Sequence, residues 1–141
     1  KNYYSVDVTK PRELKIIKNN YNVIIHCAGI ASVQESVKNP MQDFKVNLEG
    51  TLNMLELSKK MKCKFIFLSS VSVFDSKNKL PLTENSIKNV SSPYGASKLA
   101  GESYCQAYFK TFGTDTIIEI RNAFCMNWNL NGSVSISKSI I

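Results

Sequence analysis

The stretch Lys64-Phe65-Ile66-Phe67-Leu68-Ser69-Ser70 decides the fold of this chain. Its first five residues are almost all apolar, so a strand built from them is apolar on both faces, which is typical of a parallel sheet buried under helices. Two runs of the same kind flank it, Asn22–Cys27 before it and Thr116–Ile120 after it. A shorter β-prone run, Tyr3–Val6, lies near the start. These runs predict four strands.

Helical patterns lie between these runs. Pro11 favours a helix over Pro11–Asn19. Asn39-Pro40-Met41-Gln42 predicts the start of a second helix, whose apolar residues recur at helical spacing as far as Lys59-Lys60. A third helix is predicted from Ser92-Pro93 to Phe112, because a cap residue and a first-turn proline open it and a glycine follows it. Strands alternating with helices predict an α/β fold with a doubly wound parallel sheet.

The amino-acid composition limits the classes of protein to which this chain can belong. The 141 residues are 43% hydrophobic and 21% charged, which is typical of one ordinary globular domain. No apolar run reaches the roughly 20 residues that a membrane span needs, so no membrane partner is predicted. The formal net charge is +7, but the lysines are spread among acidic and apolar residues. This spacing favours a solvated lysine-rich surface over a nucleic-acid interface.

The four cysteines are widely separated, and the chain has a single histidine. Because metal ligands usually cluster in closer spacings, no metal site is predicted. Reduced, buried thiols and a cytoplasmic location are the expectation.

Small and polar residues follow the predicted strands. In sheets of this kind ligands bind beyond the carboxyl ends of the strands, so these residues should line one rim. They are Asp7, Ala28-Gly29, Ser69-Ser70 and Asn122. The long polar segment from Asp75 to Ser92 is too long for an ordinary connection and is interpreted as a functional loop.

Tyr94 and Lys98 are the strongest candidates for chemistry. They are four residues apart at the start of a predicted helix, so both side chains project from one face. A nearby ammonium should lower the pKa of the phenol, which would let its oxygen exchange a proton near neutral pH. Ser70 could hydrogen-bond the same substrate oxygen. The alternative is a solvated surface pair without a catalytic role.

Five motifs in order resemble the extended short-chain dehydrogenase/reductases, within them the NAD-dependent epimerase/dehydratase family and its nucleotide-sugar branch. The similarity runs from about Tyr4 to Arg121. The motifs are His26-Cys27-Ala28-Gly29, Val46-Asn47-Leu48-Glu49-Gly50-Thr51, Ser69-Ser70-Val71-Ser72-Val73-Phe74, Leu80-Pro81-Leu82-Thr83-Glu84 and Ser92-Pro93-Tyr94-Gly95-Ala96-Ser97-Lys98.

The resemblance implies a role for each matching residue. Ser70, Tyr94 and Lys98 would be catalytic, with Tyr94 removing a proton from a sugar hydroxyl while its carbon delivers hydride to NAD. Ser70, Ser72 and Tyr94 would contact the sugar. Residues implied to bind the cofactor are Asp7 at the adenine, Val8 beside it, Cys27, Ala28 and Gly29 at the ribose and phosphates, and Asn47, Ser69, Tyr94, Lys98 and Asn122.

Departures from the family pattern limit the reactions that the resemblance implies. No acidic residue follows Ser70, which disfavours a dehydratase and leaves a 4-epimerase or a keto-sugar reductase. Asp75 replaces a usual glycine, Ala31 replaces a lysine seen in some epimerases, and Arg121–Cys125 aligns poorly, so the nucleotide-sugar stays open. A reductase of a non-sugar ketone and a non-catalytic NAD-binding module are the alternatives.

The resemblance also implies how the chain is organised. Residues 1–128 would be the central and C-terminal part of a Rossmann-like NAD(P)-binding domain that lacks its first β-α-β unit. Residues 129–141 would begin the substrate-binding region. The residue that selects NAD or NADP would lie before Lys1, so NADP stays open beside NAD. The partners expected are a nucleotide-sugar substrate and, for the full-length protein, a second copy in a homodimer.

Overall fold

A computed structural model describes residues 3–18, 21–121 and 135–137. Three parallel strands form its sheet, β1 (Val23–His26), β2 (Lys64–Ser70) and β3 (Thr116–Arg121). A short strand, β4 (Ser135–Ser137), pairs antiparallel with β1, so the order is β3-β2-β1-β4. The parallel α/β sheet predicted from the apolar runs is confirmed.

The predicted strand over Tyr3–Val6 is wrong. These residues form no strand, and the neighbours of β1 in the described sheet are β2 and β4. A strand needs a neighbouring ladder for its backbone groups, and no described strand lies beside this run. Tyr4 and Val6 pack against the core instead.

The first helix is shorter than predicted. It covers α1 (Pro11–Leu14), and the chain then continues as a turn whose amides bond three residues back, as in Ile16 N to Glu13 O at 3.3 Å. Such tighter bonds mark a helix end that is fraying into a 3₁₀ turn. Asn19, the predicted last residue, lies outside the described residues.

The second predicted helix is one helical run of changing pitch. A separate short helix, α2 (Val33–Lys38), precedes it. The run itself consists of α3 (Pro40–Asp43), a π-helical segment over Phe44–Glu49, and α4 (Gly50–Met61). Segments of π-helix are rare and occur often at functional sites.

The last helix, α5 (Pro93–Phe112), confirms its predicted bounds. The Ser92 side chain accepts a hydrogen bond from Gly95 N at 3.1 Å and so satisfies a free amide of the first turn. Gly113 ends the helix with φ of +66°, in the left-handed region that favours glycine. Within the described part of the chain, neither α5 nor another helix is long and apolar enough to cross a membrane.

The core lies on one face of the sheet. Ile24, Phe65 and Phe67 point into it and are fully buried against Met54 and Leu55 of α4. The residues that alternate with them on β1 and β2 are only half-buried. The described helices therefore cover one face of a sheet whose strands are apolar on both.

Candidate active site

The N-terminal half of α5 lies beside the carboxyl end of β2, and this places Tyr94 and Lys98 inside the protein. Tyr94 is 6% exposed and Lys98 8% exposed. The alternative of a solvated surface pair is wrong, because both side chains are buried. Gly95 permits the close approach: a Cβ there would lie 2.5 Å from the carbonyl oxygen of Ser72.

Ser70 occupies the end of β2, where the chain turns into a short 3₁₀ helix, Val71–Val73. Its Oγ accepts a hydrogen bond from Ser72 N at 3.2 Å and donates to Ser72 Oγ at 3.2 Å. The Ser70 side chain also interacts with the Tyr94 phenol and acts to lower its pKa. Two hydroxyls and a phenol thus meet at one corner of the sheet.

Lys98 reaches from α5 to the backbone of β2. Its Nζ donates to the carbonyl oxygen of Leu68 at 2.9 Å, and it lies 4.9 Å from the ring centroid of Phe67 and 6.0 Å from that of Tyr94. Burial lowers the pKa of Lys98 to about 8, and the negative charge of Asp43 partly opposes this by raising the pKa. Below that pH the side chain is a buried ammonium.

The predicted lowering of the Tyr94 pKa is wrong, because the pKa in this structure is raised. Burial raises the pKa of Tyr94 above its usual value, the interaction with Ser70 opposes this, and the Asp43 charge adds to it. The physical reason is that burial penalises a phenolate, while the Lys98 ammonium hydrogen-bonds the Leu68 carbonyl. Tyr94 in this structure is therefore a protonated phenol at neutral pH.

Asn47 holds the chain that follows β1. It is buried in the π-helical segment, where its Oδ1 accepts from Ile30 N at 2.7 Å and its Nδ2 donates to Ile30 O at 3.0 Å. Gly29 lies against it, since a Cβ on Gly29 would be 2.8 Å from Asn47 Oδ1 and 3.8 Å from Lys98 Nζ. The structure thus brings Gly29, Asn47 and Lys98 together.

Asp43 is a site residue that the sequence analysis missed. It is buried, its Oδ1 accepts from Asn47 Nδ2 at 2.6 Å, and its Oδ2 accepts from Ser97 Oγ at 2.5 Å. From sequence it is an ordinary acidic residue in the first turn of a helix. Only its position four residues before Asn47 could have drawn notice, because that spacing puts the two on one helix face.

His26 is buried behind this cluster. Its Nε2 lies 3.1 Å from Thr51 Oγ1, its Nδ1 has no hydrogen-bond partner, and its ring stacks on Phe65 and Phe67. Burial, with a smaller contribution from the Lys98 charge, lowers the pKa of His26 to about 3. The imidazole is therefore neutral at physiological pH.

Asp7 and Val8 lie beside α1 and the start of α4. Asp7 Oδ1 accepts from Thr9 N at 2.9 Å and Thr9 Oγ1 at 2.8 Å, and these bonds lower the pKa of Asp7. Val8 is buried, and a Cβ on Gly50 would lie 2.8 Å from its Cγ2. Cys27 and Ala28 follow β1 as predicted, whereas Asn122 lies outside the described residues.

The parallel sheet and the buried serine, tyrosine and lysine at its carboxyl edge define a Rossmann-like α/β chain. This chain belongs to the NAD dependent epimerase/dehydratase family, whose model matches residues 1–124. Its resemblance to the extended short-chain dehydrogenase/reductases, taken from five short motifs, is thereby confirmed.

Relatives and solved structures agree with the family. UDP-glucose 4-epimerase 2 of Oryza sativa is 31% identical over 122 residues, which are 84% of this chain and 30% of the relative. UDP-glucose 4-epimerase from Brucella ovis in complex with NAD superposes with a TM-score of 0.77 and 27% identity, covering 82% of this chain and 37% of that one. RMD from Pseudomonas aeruginosa with NADPH gives a TM-score of 0.77 and 30% identity, covering 84% and 42%.

The chain spans about a third of the length of the curated relatives it matches.

Proposed function

We propose that this chain is the catalytic part of an NAD(P)-dependent nucleotide-sugar epimerase, with a keto-sugar reductase as the second candidate. The observation that carries the proposal is the buried cluster of Ser70, Tyr94 and Lys98 at the carboxyl edge of β2. A hydroxyl and a phenol at one point, with an ammonium beside the phenol ring, can hold and protonate or deprotonate the oxygen of an alcohol or ketone.

The residues around Lys98 fit a nicotinamide nucleotide. A buried ammonium has three donors, and Leu68 O accepts one of them at 2.9 Å. The hydroxyls of a ribose are acceptors that would suit the others. Gly29, Asn47 and Lys98 would hold this end of the cofactor, and Asp7 and Val8 would lie at the adenine. Bound there, the nicotinamide would supply the hydride acceptor or donor.

Tyr94 would transfer the proton. As a neutral phenol it can donate a hydrogen bond and then a proton to a ketone oxygen, which is the direction of reduction. In the direction of oxidation it must first lose its proton, and the positive charge of Lys98 stabilises the phenolate. Ser70 would hydrogen-bond the same substrate oxygen, and Ser72 would offer a second hydroxyl to the sugar.

One observation bears on the type of reaction, and the similarity to known enzymes bears on the class of sugar. Ser70-Val71-Ser72 offers hydroxyls and no carboxylate beside the tyrosine, and eliminating water would require an acid or base there. The similarity to UDP-glucose 4-epimerases supports a UDP-hexose as the substrate. The similarity to a chain solved with NADPH supports the reductase as the second candidate.

The test replaces Tyr94 by Phe in the full-length protein that contains this chain, supplied with NAD and UDP-galactose. Because the proton donor is lost, we expect kcat to fall about 100-fold or more. Formation of UDP-glucose is followed by NMR. Tyr104→Phe is the matched control, since Tyr104 lies on the same helix and is 43% exposed.

Equal turnover by the Tyr94→Phe variant and the wild-type protein would refute the mechanism. Interconversion without net consumption of the nicotinamide identifies the epimerase. Stoichiometric oxidation of NADPH with a UDP-keto-sugar identifies the reductase instead.

A further inference from the structure

Glu102 is a buried carboxylate that the proposed chemistry does not use. It lies on α5, one turn beyond Lys98 and two turns beyond Tyr94, so all three residues share the face that packs on the sheet. Only 2% of Glu102 is exposed. A carboxylate so deeply buried is unfavourable unless a cation and hydrogen-bond donors surround it.

Two other segments supply those partners. Ser69, the residue before Ser70 at the end of β2, donates its hydroxyl to Glu102 Oε1 at 2.5 Å. Lys88, from the polar segment between β2 and α5, donates its Nζ to Glu102 Oε2 at 2.5 Å. One carboxylate therefore joins the end of β2, the polar segment and the catalytic helix.

Lys88 is itself held in place by the backbone. It forms an isolated antiparallel bridge with Phe74, which follows the short 3₁₀ helix that Ser70 caps. Its neighbours complete the bridge, with Asp75 N donating to Ile87 O at 2.9 Å and Asn89 N to Val73 O at 3.1 Å. The ammonium also lies 6.0 Å from the ring centroid of Phe74. The backbone bridge thus fixes the position from which the Lys88 ammonium reaches Glu102.

We propose that Glu102 and Lys88 are positioning residues that set the distance between the Ser70 hydroxyl and the Tyr94 phenol. Ser70 is carried by the end of β2, and Tyr94 is carried by α5. The bond from Ser69 to Glu102 ties these two elements one residue from the site, and Lys88 neutralises the carboxylate. This inference rests on the proposed function, because it assigns the pair a role in that reaction.

The rival explanation is a merely structural ion pair that stabilises the fold. The two differ in their effect on turnover. A displacement of about 1 Å between reacting groups can lower a rate as much as 100-fold while leaving binding intact. A structural pair would change the unfolding midpoint and leave kcat of the folded enzyme unchanged.

The experiment uses Lys88→Met and Lys88→Arg in the full-length protein with NAD and UDP-galactose. We expect Lys88→Met to lower kcat about 10-fold to 100-fold with KM for both ligands within about threefold, and Lys88→Arg to restore most of kcat. The limb of the kcat pH profile on which activity rises as Tyr94 loses its proton should move to higher pH, because a weaker interaction between Ser70 and Tyr94 stabilises the phenolate less. Lys79→Met, an exposed lysine of the same segment, is the matched control.

A second variant covers the case in which Lys88→Met leaves the buried carboxylate unpaired and prevents folding. Ser69→Ala keeps the ion pair but removes the bond between β2 and α5. We expect it to lower kcat about fivefold or more, with the same upward shift in the pH profile. Unchanged kcat in Ser69→Ala, or in a folded Lys88→Met protein, would overturn the proposal.

Tyr94→Phe, assayed in parallel, separates this inference from the proposed function. If Tyr94→Phe lowers kcat about 100-fold while Lys88→Met and Ser69→Ala leave kcat unchanged, only the positioning role fails. If Tyr94→Phe retains turnover, the proposed function fails as well.

Discussion

Two buried carboxylates hold α5 from different sides, and they are satisfied in different ways. Asp43 accepts hydrogen bonds from the neutral side chains of Asn47 and Ser97. Glu102 accepts one from Ser69 and forms an ion pair with Lys88. The Asp43 charge acts on Tyr94 and Lys98, whereas Glu102 has the Lys88 ammonium in direct contact and its charge acts on Cys105.

This difference separates two tasks. An uncompensated charge beside the site favours the ammonium form of Lys98 and disfavours the phenolate form of Tyr94. Glu102, with a cation in direct contact, ties β2, the polar segment and α5 together. Asp43 thus acts on the pKa values of Tyr94 and Lys98, and the role proposed for Glu102 concerns geometry.

Turnover is expected to show larger changes than stability. Tyr94→Phe should cost about 100-fold in kcat and Lys88→Met about 10-fold to 100-fold. If both buried acids served only stability, Lys88→Met would lower the unfolding midpoint alone.

Replacing Asp43 tests the uncompensated acid. Asp43→Ala leaves Asn47 Nδ2 and Ser97 Oγ without this acceptor inside the protein, so we expect the free energy of unfolding to fall by about 2–4 kcal/mol. Chemical denaturation of the full-length protein measures it, with the exposed neighbour Gln42→Ala as the control. A loss equal to that of the control would show that Asp43 is not needed to hold α5.

Adding a methyl group to Gly101, which lies next to Glu102 on α5, tests how closely this helix must approach the sheet. A Cβ on Gly101 would lie 2.6 Å from the Cζ atom of Phe67. Gly101→Ala should therefore destabilise the protein by about 1–3 kcal/mol, despite the better helix propensity of alanine. Ser103→Ala, on the exposed side of α5, is the control in the same denaturation series, and a stabilised Gly101→Ala protein would contradict the expectation.

The smallest effect concerns His26, which, unlike the two acids, is buried in its neutral form. Its pKa of about 3 in the folded protein lies below the ordinary value of 6.5. The unfolded chain therefore binds the proton more tightly, so the stabilisation is complete above pH 6.5 and is lost as the pH falls toward 3.

Between pH 7 and pH 5.5 the loss should be about 1 kcal/mol, because each pH unit below 6.5 costs about 1.4 kcal/mol. Denaturation at both pH values, for the wild-type protein and for His26→Gln, measures it. An equal pH dependence in the two proteins would show that His26 does not titrate on unfolding.

Much of the fold could be predicted because its signals are local. Apolar runs set β1, β2 and β3, and the Ser92 cap and Gly113 set the two ends of α5. The strand over Tyr3–Val6 could not be judged in this way, because a strand forms only where another lies beside it. The π-helical segment around Asn47 likewise has no local pattern that separates it from the α-helix on either side.

Some residues of the candidate site could be predicted from the sequence and others could not. Helical spacing was enough to nominate Tyr94 and Lys98, since residues four apart on a helix share a face whatever the rest of the fold does. Ser70 was nominated from its place at the end of a predicted strand and from the family motif. It could not select Asp43 or Glu102, whose partners are far away in sequence: Ser97 lies 54 residues from Asp43, and Ser69 lies 33 residues from Glu102.

Most of the strands and helices, the family and the candidate residues for proton transfer followed from the sequence alone. Only the tertiary structure decided the protonation of those residues. Burial under α4 and α5 raises the pKa of Tyr94 and lowers that of Lys98, whereas the spacing alone had predicted a lowered phenol pKa. The physical reason is that spacing along a helix sets which groups are neighbours, but desolvation depends on everything packed around them.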